Sequence, residues 1–294
     1  MITIVGGTGR LGRLLAARLL AEDRPVRLVA RSAADDLPEG AELVVADVRR
    51  PATLPAAVAG SSVVVSAVHG LDPASGESPA QVDRDGNLAL VRAARAAGAD
   101  IVVVSIIGAS ADHPIELMRM KAAAERELRH GEPGRADWTV VRPTAYVELW
   151  AEMMRQTAGR SGVPKVFGRG DNPVNFVAVA DVAAAVHRAV LDPTLRGAVI
   201  DVGGPQDLTM TELARLVTGQ QRVAHIPRAA LRVMSVAMAP VRPAQARLAQ
   251  MALQMDTIPM RFDPTSSQAA NPWLPSTPVA RALEEAGAGR DVTS

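Results

Sequence analysis

The chain has 294 residues, 48% hydrophobic and 21% charged, with a formal net charge of +1; it is long enough to bury a sizeable core and carries no electrostatic footprint favouring nucleic acid or an anionic membrane. It contains no cysteine, which excludes disulfides, thiolate metal sites and a cysteine nucleophile. The five histidines, at 69, 113, 130, 187 and 225, lack the spacing and nearby carboxylates of a zinc site, so no catalytic metal is expected.

The run Met1–Val5 leads straight into glycines, without a charged leader, a long apolar stretch or a cleavage site, which predicts a cytoplasmic protein. Short apolar runs then alternate with helix-patterned segments. Strands are expected near Thr3–Val5, Val26–Ala30, Leu43–Ala46, Val63–Ala67, Ile101–Ser105 and Thr139–Val141. The first helix places Leu11, Leu14, Leu15 and Leu19 on one stripe, and later helices are expected over Val82–Ala97, Pro114–Arg129 and Val147–Thr157. A strand near Asn175–Val179, a helix over Asp181–Leu191 and a strand near Ala198–Val202 follow, and Thr209 with Glu212 forms a capping-box pattern. The apolar stretch Leu231–Met255 is broken by arginines and prolines, so a buried or lid-forming helical pair is expected and not a membrane span.

These elements predict an α/β fold, a Rossmann-like doubly wound parallel sheet with a smaller, mostly helical C-terminal substrate region. The division expected is a dinucleotide-binding domain over residues 1–205, with substrate-side insertions at about 143–175, and a helical substrate or lid region over 206–294.

Between the first strand and helix, Gly6-Gly7-Thr8-Gly9-Arg10-Leu11-Gly12 has the spacing G-x-x-G-x-x-G. Glycines there allow a sharp turn, a close approach to a pyrophosphate and tight helix packing, while the helix N-terminus favours the anion. No Gly-Lys-Ser/Thr follows, so the turn is not a P-loop. After the second strand, Arg31-Ser32 stands where an acidic residue would bind the ribose of NAD. An arginine suits the 2′-phosphate of NADP, so NADP(H) is favoured over NAD(H); the alternative is a solvated loop arginine. Arg10 is either a second phosphate ligand or exposed. Asp47, beside Val48 after the third strand, either accepts from the adenine amino group or caps a turn. Ala67 and Val68, after the fourth strand, complete the expected cofactor site, which Ser66 and His69 either border or leave to backbone contacts.

Taken together, these residues resemble the atypical short-chain dehydrogenase/reductases, in particular the NmrA-like and complex-I-subunit-like branches. Further matching features are Gly86-Asn87, Val104-Ser105, Trp138-Thr-Val-Val-Arg-Pro143, Asn175-Phe-Val-Ala-Val with Asp181-Val182, and Gly203-Gly-Pro205 with Leu208-Thr209; the match covers about residues 1–220. The resemblance implies a substrate held between the C-terminal edge of the sheet and a C-terminal region. It also implies a Tyr-x-x-x-Lys pair, in which tyrosine exchanges the proton and lysine holds the nicotinamide ribose. Lys121 matches that lysine, but Leu117 occupies the tyrosine position.

Lys121 shares a helical stripe with Leu117, Ala124 and Leu128, where an unpaired ammonium is costly. It is also one of only two lysines, with Lys165, among thirty arginines. Either a ligand compensates its charge or Glu125, one turn on, pairs with it. Candidate proton donors are Ser105, Tyr146 and Lys121 itself; the alternative for Tyr146 is a packing role. Tyr146, Trp150, Met153, Met154, Met234, Met238, Met251 and Met255 form an apolar set that either faces an aromatic or quinone-like substrate or belongs to the core.

The expected function is an NADP(H)-dependent oxidoreductase acting on a small apolar carbonyl, enone or quinone, as a monomer or homodimer with no nucleic-acid or membrane partner. The alternative is a non-catalytic NADP(H)-binding redox sensor or assembly protein. A nucleotide-sugar epimerase is disfavoured because that chemistry relies on the tyrosine.

Overall fold

The apolar runs become the central strands of a computed structural model that describes residues 1–34, 36–70, 76–130 and 137–291. In chain order the first elements are β1 (Ile2–Val5), α1 (Arg10–Leu20), β2 (Val26–Ala30), β3 (Glu42–Val45), α2 (Leu54–Val58) and β4 (Val63–Ser66). A π-helical segment, Ala80–Gly86, runs into α3 (Asn87–Ala96), followed by β5 (Asp100–Val104), α4 (Glu116–Arg129) and β6 (Trp138–Pro143). Next come β7 (Ala145–Tyr146), α5 (Val147–Ala158), β8 (Lys165–Phe167), β9 (Pro173–Val177), α6 (Val179–Leu191) and β10 (Val199–Val202). The chain continues through β11 (Asp207–Thr209), α7 (Met210–Thr218), β12 (Ala224–Ile226), α8 (Arg228–Ala237), α9 (Pro243–Met255), α10 (Thr265–Ala270) and α11 (Val279–Asp291).

The chain forms two compact units from interleaved segments. One comprises Met1–Asp72, Glu77–Pro143 and Val182–Asp201, the other Pro73–Gly76, Thr144–Asp181 and Val202–Ser294. The first holds the seven-stranded sheet, in the order β10-β6-β5-β4-β1-β2-β3. The pairs from β3 to β6 are all parallel, and the bonds Val140 N to Ala198 O and Thr144 N to Val202 O advance in step, so β10 runs the same way. Strand order reverses at β1, between β2 and β4; in open α/β sheets a crevice opens at such a reversal.

Central strands β1 and β4 are buried throughout, as continuous apolar runs in a helix-covered sheet should be. Edge strand β3 leaves Val45 58% exposed. On α1 the buried stripe is Leu11, Gly12, Leu15, Ala16 and Leu19; Leu14, expected on it, is turned outward because Gly12 and Ala16 allow the helix to approach closely on the other side.

The second unit is built on two small sheets, β11-β9-β7 and β12-β8. Its core gathers Val147, Val174, Phe176, Leu213 and Val279, with Trp150 and Met260 packed against them. The capping box forms as expected: Glu212 N donates to Thr209 Oγ1 at 3.1 Å, and Thr209 N donates to Glu212 Oε2 at 2.7 Å.

Candidate cofactor site

The glycine turn sits at the C-terminal end of β1, at the point of strand reversal. Gly6 adopts φ +86°, and a Cβ there would lie 2.6 Å from the carbonyl oxygen of Ala67, which follows β4. A Cβ on Gly12 would lie 2.5 Å from Gly6 O and 2.7 Å from Gly7 Cα. The turn is therefore closed against both its own helix and the end of β4, and any side chain at these two positions would push backbone apart. Gly9 caps α1 without a side-chain hydrogen bond, no acidic residue occupies the first turn, and Arg10 is exposed. The resulting cradle of backbone amides has a positive end and no competing carboxylate in that turn. Thr8 is half-buried and its carbonyl accepts from Arg13 Nε at 2.9 Å; Leu11 is buried.

At the end of β2, Arg31 is half-exposed and Ser32 exposed. The Arg31 guanidinium pairs with Glu77, whose side chain is only 5% exposed. Arg49 Nη1 reaches the same carboxylate at 2.9 Å, so one buried acid lies between two arginines. Asp47 is also buried: its Oδ1 accepts from Arg49 N at 2.9 Å and its Oδ2 pairs with Arg49 Nη2 at 2.6 Å. The Arg49 guanidinium holds the Asp47 carboxyl below its ordinary value, against the opposing effect of burial. Asp47 thus caps the turn after β3, and Val48 packs into the core of this unit. Sequence reasoning missed Glu77 and Arg49, because neither occupies a motif position and their meeting depends on the fold.

Lys121 is buried on α4. Its Nζ donates to Val68 O and to Val104 O, each at 2.9 Å, and lies 3.0 Å from Asp83 Oδ1, whose side chain is fully buried. The contact with Asp83 is ionic without hydrogen-bond alignment, so two of the three ammonium protons are committed to the ends of β4 and β5. Glu125 does not pair with this ammonium; Asp83 does, brought in by the π-helical segment, while its Oδ2 accepts from Gly70 N at 2.8 Å. A signal was present: Asp83 and Asn87 continue the stripe of Leu90, Val91 and Ala94, a polar pair on a buried helix face. Asn87 accepts from the Ser66 hydroxyl and donates to Asp83 O.

Glu125 serves another group. Its Oε1 accepts from Ser105 Oγ at 2.5 Å and Arg142 Nε at 2.9 Å, and Oε2 pairs with Arg142 and Arg129. Ser105, just past β5, therefore turns its proton away to a buried carboxylate. Asp201 on β10 is raised by burial, which the charge of Arg142 opposes. Tyr146 belongs to the other unit, at the N-terminus of α5; burial and then Glu148 raise its phenol, and Glu148 accepts from Val179 N at 3.0 Å, at the start of α6.

Of the apolar set read as facing substrate or core, Met154 is core, packed with Val166 and Ala214, and Met255 is also buried. Trp150 packs against both clusters of the second unit.

The sheet reversal, the closed glycine turn and the arginines beyond β2 are the setting of a dinucleotide site, and comparison with known families agrees with it. A family model described as NAD(P)H-binding matches residues 6–193. The chain belongs to the NAD(P)H-binding family. An NAD(P)H azoreductase of Xenophilus azovorans is 31% identical to this NAD(P)H-binding protein over 73% of the chain and 71% of its own length. The photosystem II assembly factor Ycf39 of Trieres chinensis is 28% identical over 80% of the chain and 74% of its own length. Among solved structures, an NADPH-dependent quinone oxidoreductase from Escherichia coli, complexed with NADPH, superposes with a TM-score of 0.72. That match has 21% identity and covers 97% of this chain and 99% of the other, a likeness of fold.

Proposed function

We propose that this protein is an NADP(H)-dependent oxidoreductase that reduces a small apolar acceptor, a quinone in preference to a simple carbonyl. The observation that carries the reading is the glycine turn at the β1–β4 reversal, closed so that a Cβ at Gly6 or Gly12 would strike backbone. In this reading the amides of Gly9 to Gly12 hold the pyrophosphate, Arg31 meets the 2′-phosphate with Arg49 beside it, and Ala67 and Val68 wall the crevice. Asp47 keeps Arg49 in place. Lys121 offers a ribose hydroxyl the one proton that no carbonyl takes. NADPH held there would supply the hydride.

The missing tyrosine selects the acceptor. Reduction of an aliphatic ketone leaves an alkoxide about as basic as hydroxide, with a conjugate acid near pKa ~16, which calls for a dedicated acid. Reduction of a quinone leaves a phenolate-type oxygen, with a conjugate acid near pKa ~10, which water protonates readily. The Ser105 proton is bound to Glu125 and the Tyr146 phenol holds its proton tightly, a set better suited to the second case. The names of the azoreductase relative and the quinone oxidoreductase neighbour support the same class.

The test is NADPH oxidation against a panel of benzoquinones, naphthoquinones, azo dyes, enones and ketones, with wild type and Lys121→Ala. Turnover of quinones above ketones, lowered in the variant, is expected. No turnover with any acceptor sinks the reading.

A second reading, a cofactor-bound redox sensor or assembly protein, is favoured by the two backbone bonds that tie Lys121 into the scaffold and by the assembly-factor relative. It predicts redox-dependent binding of a protein partner without turnover.

A further inference from the structure

The net charge of +1 conceals an uneven distribution. Residues 213–255 contain six arginines, no lysine and no aspartate or glutamate, so the rest of the chain is net acidic. This stretch includes α8 and α9, which pack on each other as a hairpin, with Leu231 buried on the first and Ala246 and Ala249 buried on the second. At the turn end of the hairpin the apolar side chains face outward: Val233 is 65% exposed, Val236 75% and Val241 79%. Val233 and Val236 stand three residues apart, on one side of α8, and Val241 lies in the turn that follows. Arg232 and Arg242 flank them and are exposed; among the described residues neither takes part in an ion pair. The first carboxylate beyond the stretch, Asp256, is buried and bound to Arg228, to Arg169 N and to Gly170 N.

We propose that the α8–α9 turn is a membrane-surface contact, seating Val233, Val236 and Val241 at the interface of an anionic bilayer while Arg232 and Arg242 meet lipid phosphates. Solvated protein faces intersperse charges of both signs. Exposed aliphatic side chains beside arginines, over a long run free of acids, are the composition of an interfacial segment. Charge decides between occupants. A second copy would bring the same arginines face to face if it bound through this turn symmetrically, whereas an anionic lipid surface neutralises them. The contact is peripheral: among the described residues no helix is long and apolar enough to cross a membrane.

The test is co-sedimentation of the full chain with phosphatidylcholine vesicles and with vesicles containing about 30 mol% phosphatidylglycerol, a content chosen to give a surface potential that attracts juxtaposed cations. Wild type is expected to partition onto the anionic vesicles and not the neutral ones, and to be released at high salt. Removing both charges, Arg232→Gln with Arg242→Gln, should lower partitioning by about tenfold or more, since each cation near such a surface is worth about fivefold. Val236→Asp with Val241→Asp should abolish it. Both pairs lie on exposed positions, and unchanged melting and NADPH binding will show that each variant is folded. Wild type remaining in the supernatant with every vesicle composition, including pure phosphatidylglycerol, overturns the proposal and leaves a protein surface as the occupant. Equal sedimentation of the aspartate variant overturns it too, by placing the lipid contact elsewhere.

Discussion

Glu77 lies between Arg31 and Arg49, and an acid in that position competes with a phosphate for the same two guanidinium groups. Replacing it with glutamine frees both cations and removes a repulsion, so Glu77→Gln should tighten NADPH binding by about tenfold, equivalent to ~1.4 kcal/mol, and leave NADH binding nearly unchanged. Arg31→Ala should move the ratio the other way. Titration of both nucleotides by fluorescence decides; an NADPH/NADH affinity ratio that neither variant alters removes Arg31 from the phosphate site. Asp83 permits a sharper stability test. Asp83→Asn leaves the Lys121 ammonium buried without its counter-ion and should cost about 3–5 kcal/mol in urea unfolding, while Asp83→Leu combined with Lys121→Met should recover most of that loss. A double variant no more stable than Asp83→Asn would show that the hydrogen bonds to Val68 O and Val104 O, not the charge pair, fix this corner.

At the scale of elements, the strands of the large sheet were legible because each is a short apolar run closed by turn residues, buried by its neighbours. The short strands β7, β8, β11 and β12 were not: two or three residues carry no periodicity, and they exist only through pairing with distant partners. The π-helical segment was absorbed into one expected helix, since seven residues of π-turn do not shift a hydrophobic pattern visibly. That one displaced turn carries Asp83, which is why Lys121 was recognised as needing compensation while the compensating group was not. The glycine turn was legible because its constraint is local. Gly12→Ala tests it: with backbone atoms at 2.5 and 2.7 Å from the added carbon, the turn must open, and NADPH binding should fall by more than about tenfold. Thr209→Ala, which removes a side-chain cap legible from four residues of sequence, should cost only about 1 kcal/mol and leave cofactor binding intact. Equal loss of NADPH binding in the two variants would mean that general destabilisation, not the turn, is being measured.

The whole molecule's response to acid follows from groups in both units. His187 and His113 are each lowered chiefly by burial, so near neutral pH the folded protein holds them uncharged, and the unfolded chain takes up protons first. Their contribution is fully present above the unfolded histidine value of about 6.5 and is lost as pH falls from there through the lowered folded values. Asp47, lowered by Arg49, and Asp256, lowered by Arg169 N, Gly170 N and Arg228 against its own burial, act in the same direction in a lower window. What they contribute is present above the unfolded carboxyl value of about 3.9 and disappears below it. Asp201 works in the opposite sense, because its raised carboxyl makes the fold lose stability as pH climbs through its folded value. Two downward steps in melting temperature are therefore expected on acidification, one beginning below about pH 6.5 and a second below about pH 4. His187→Gln should shrink the first, leaving the part due to His113, and spare the second, whereas Asp256→Asn should lower stability at neutral pH and shrink the second. A wild-type melting temperature that does not fall between about pH 7 and pH 5, or a His187→Gln profile parallel to wild type across that interval, would show that burial of this imidazole is not coupled to folding.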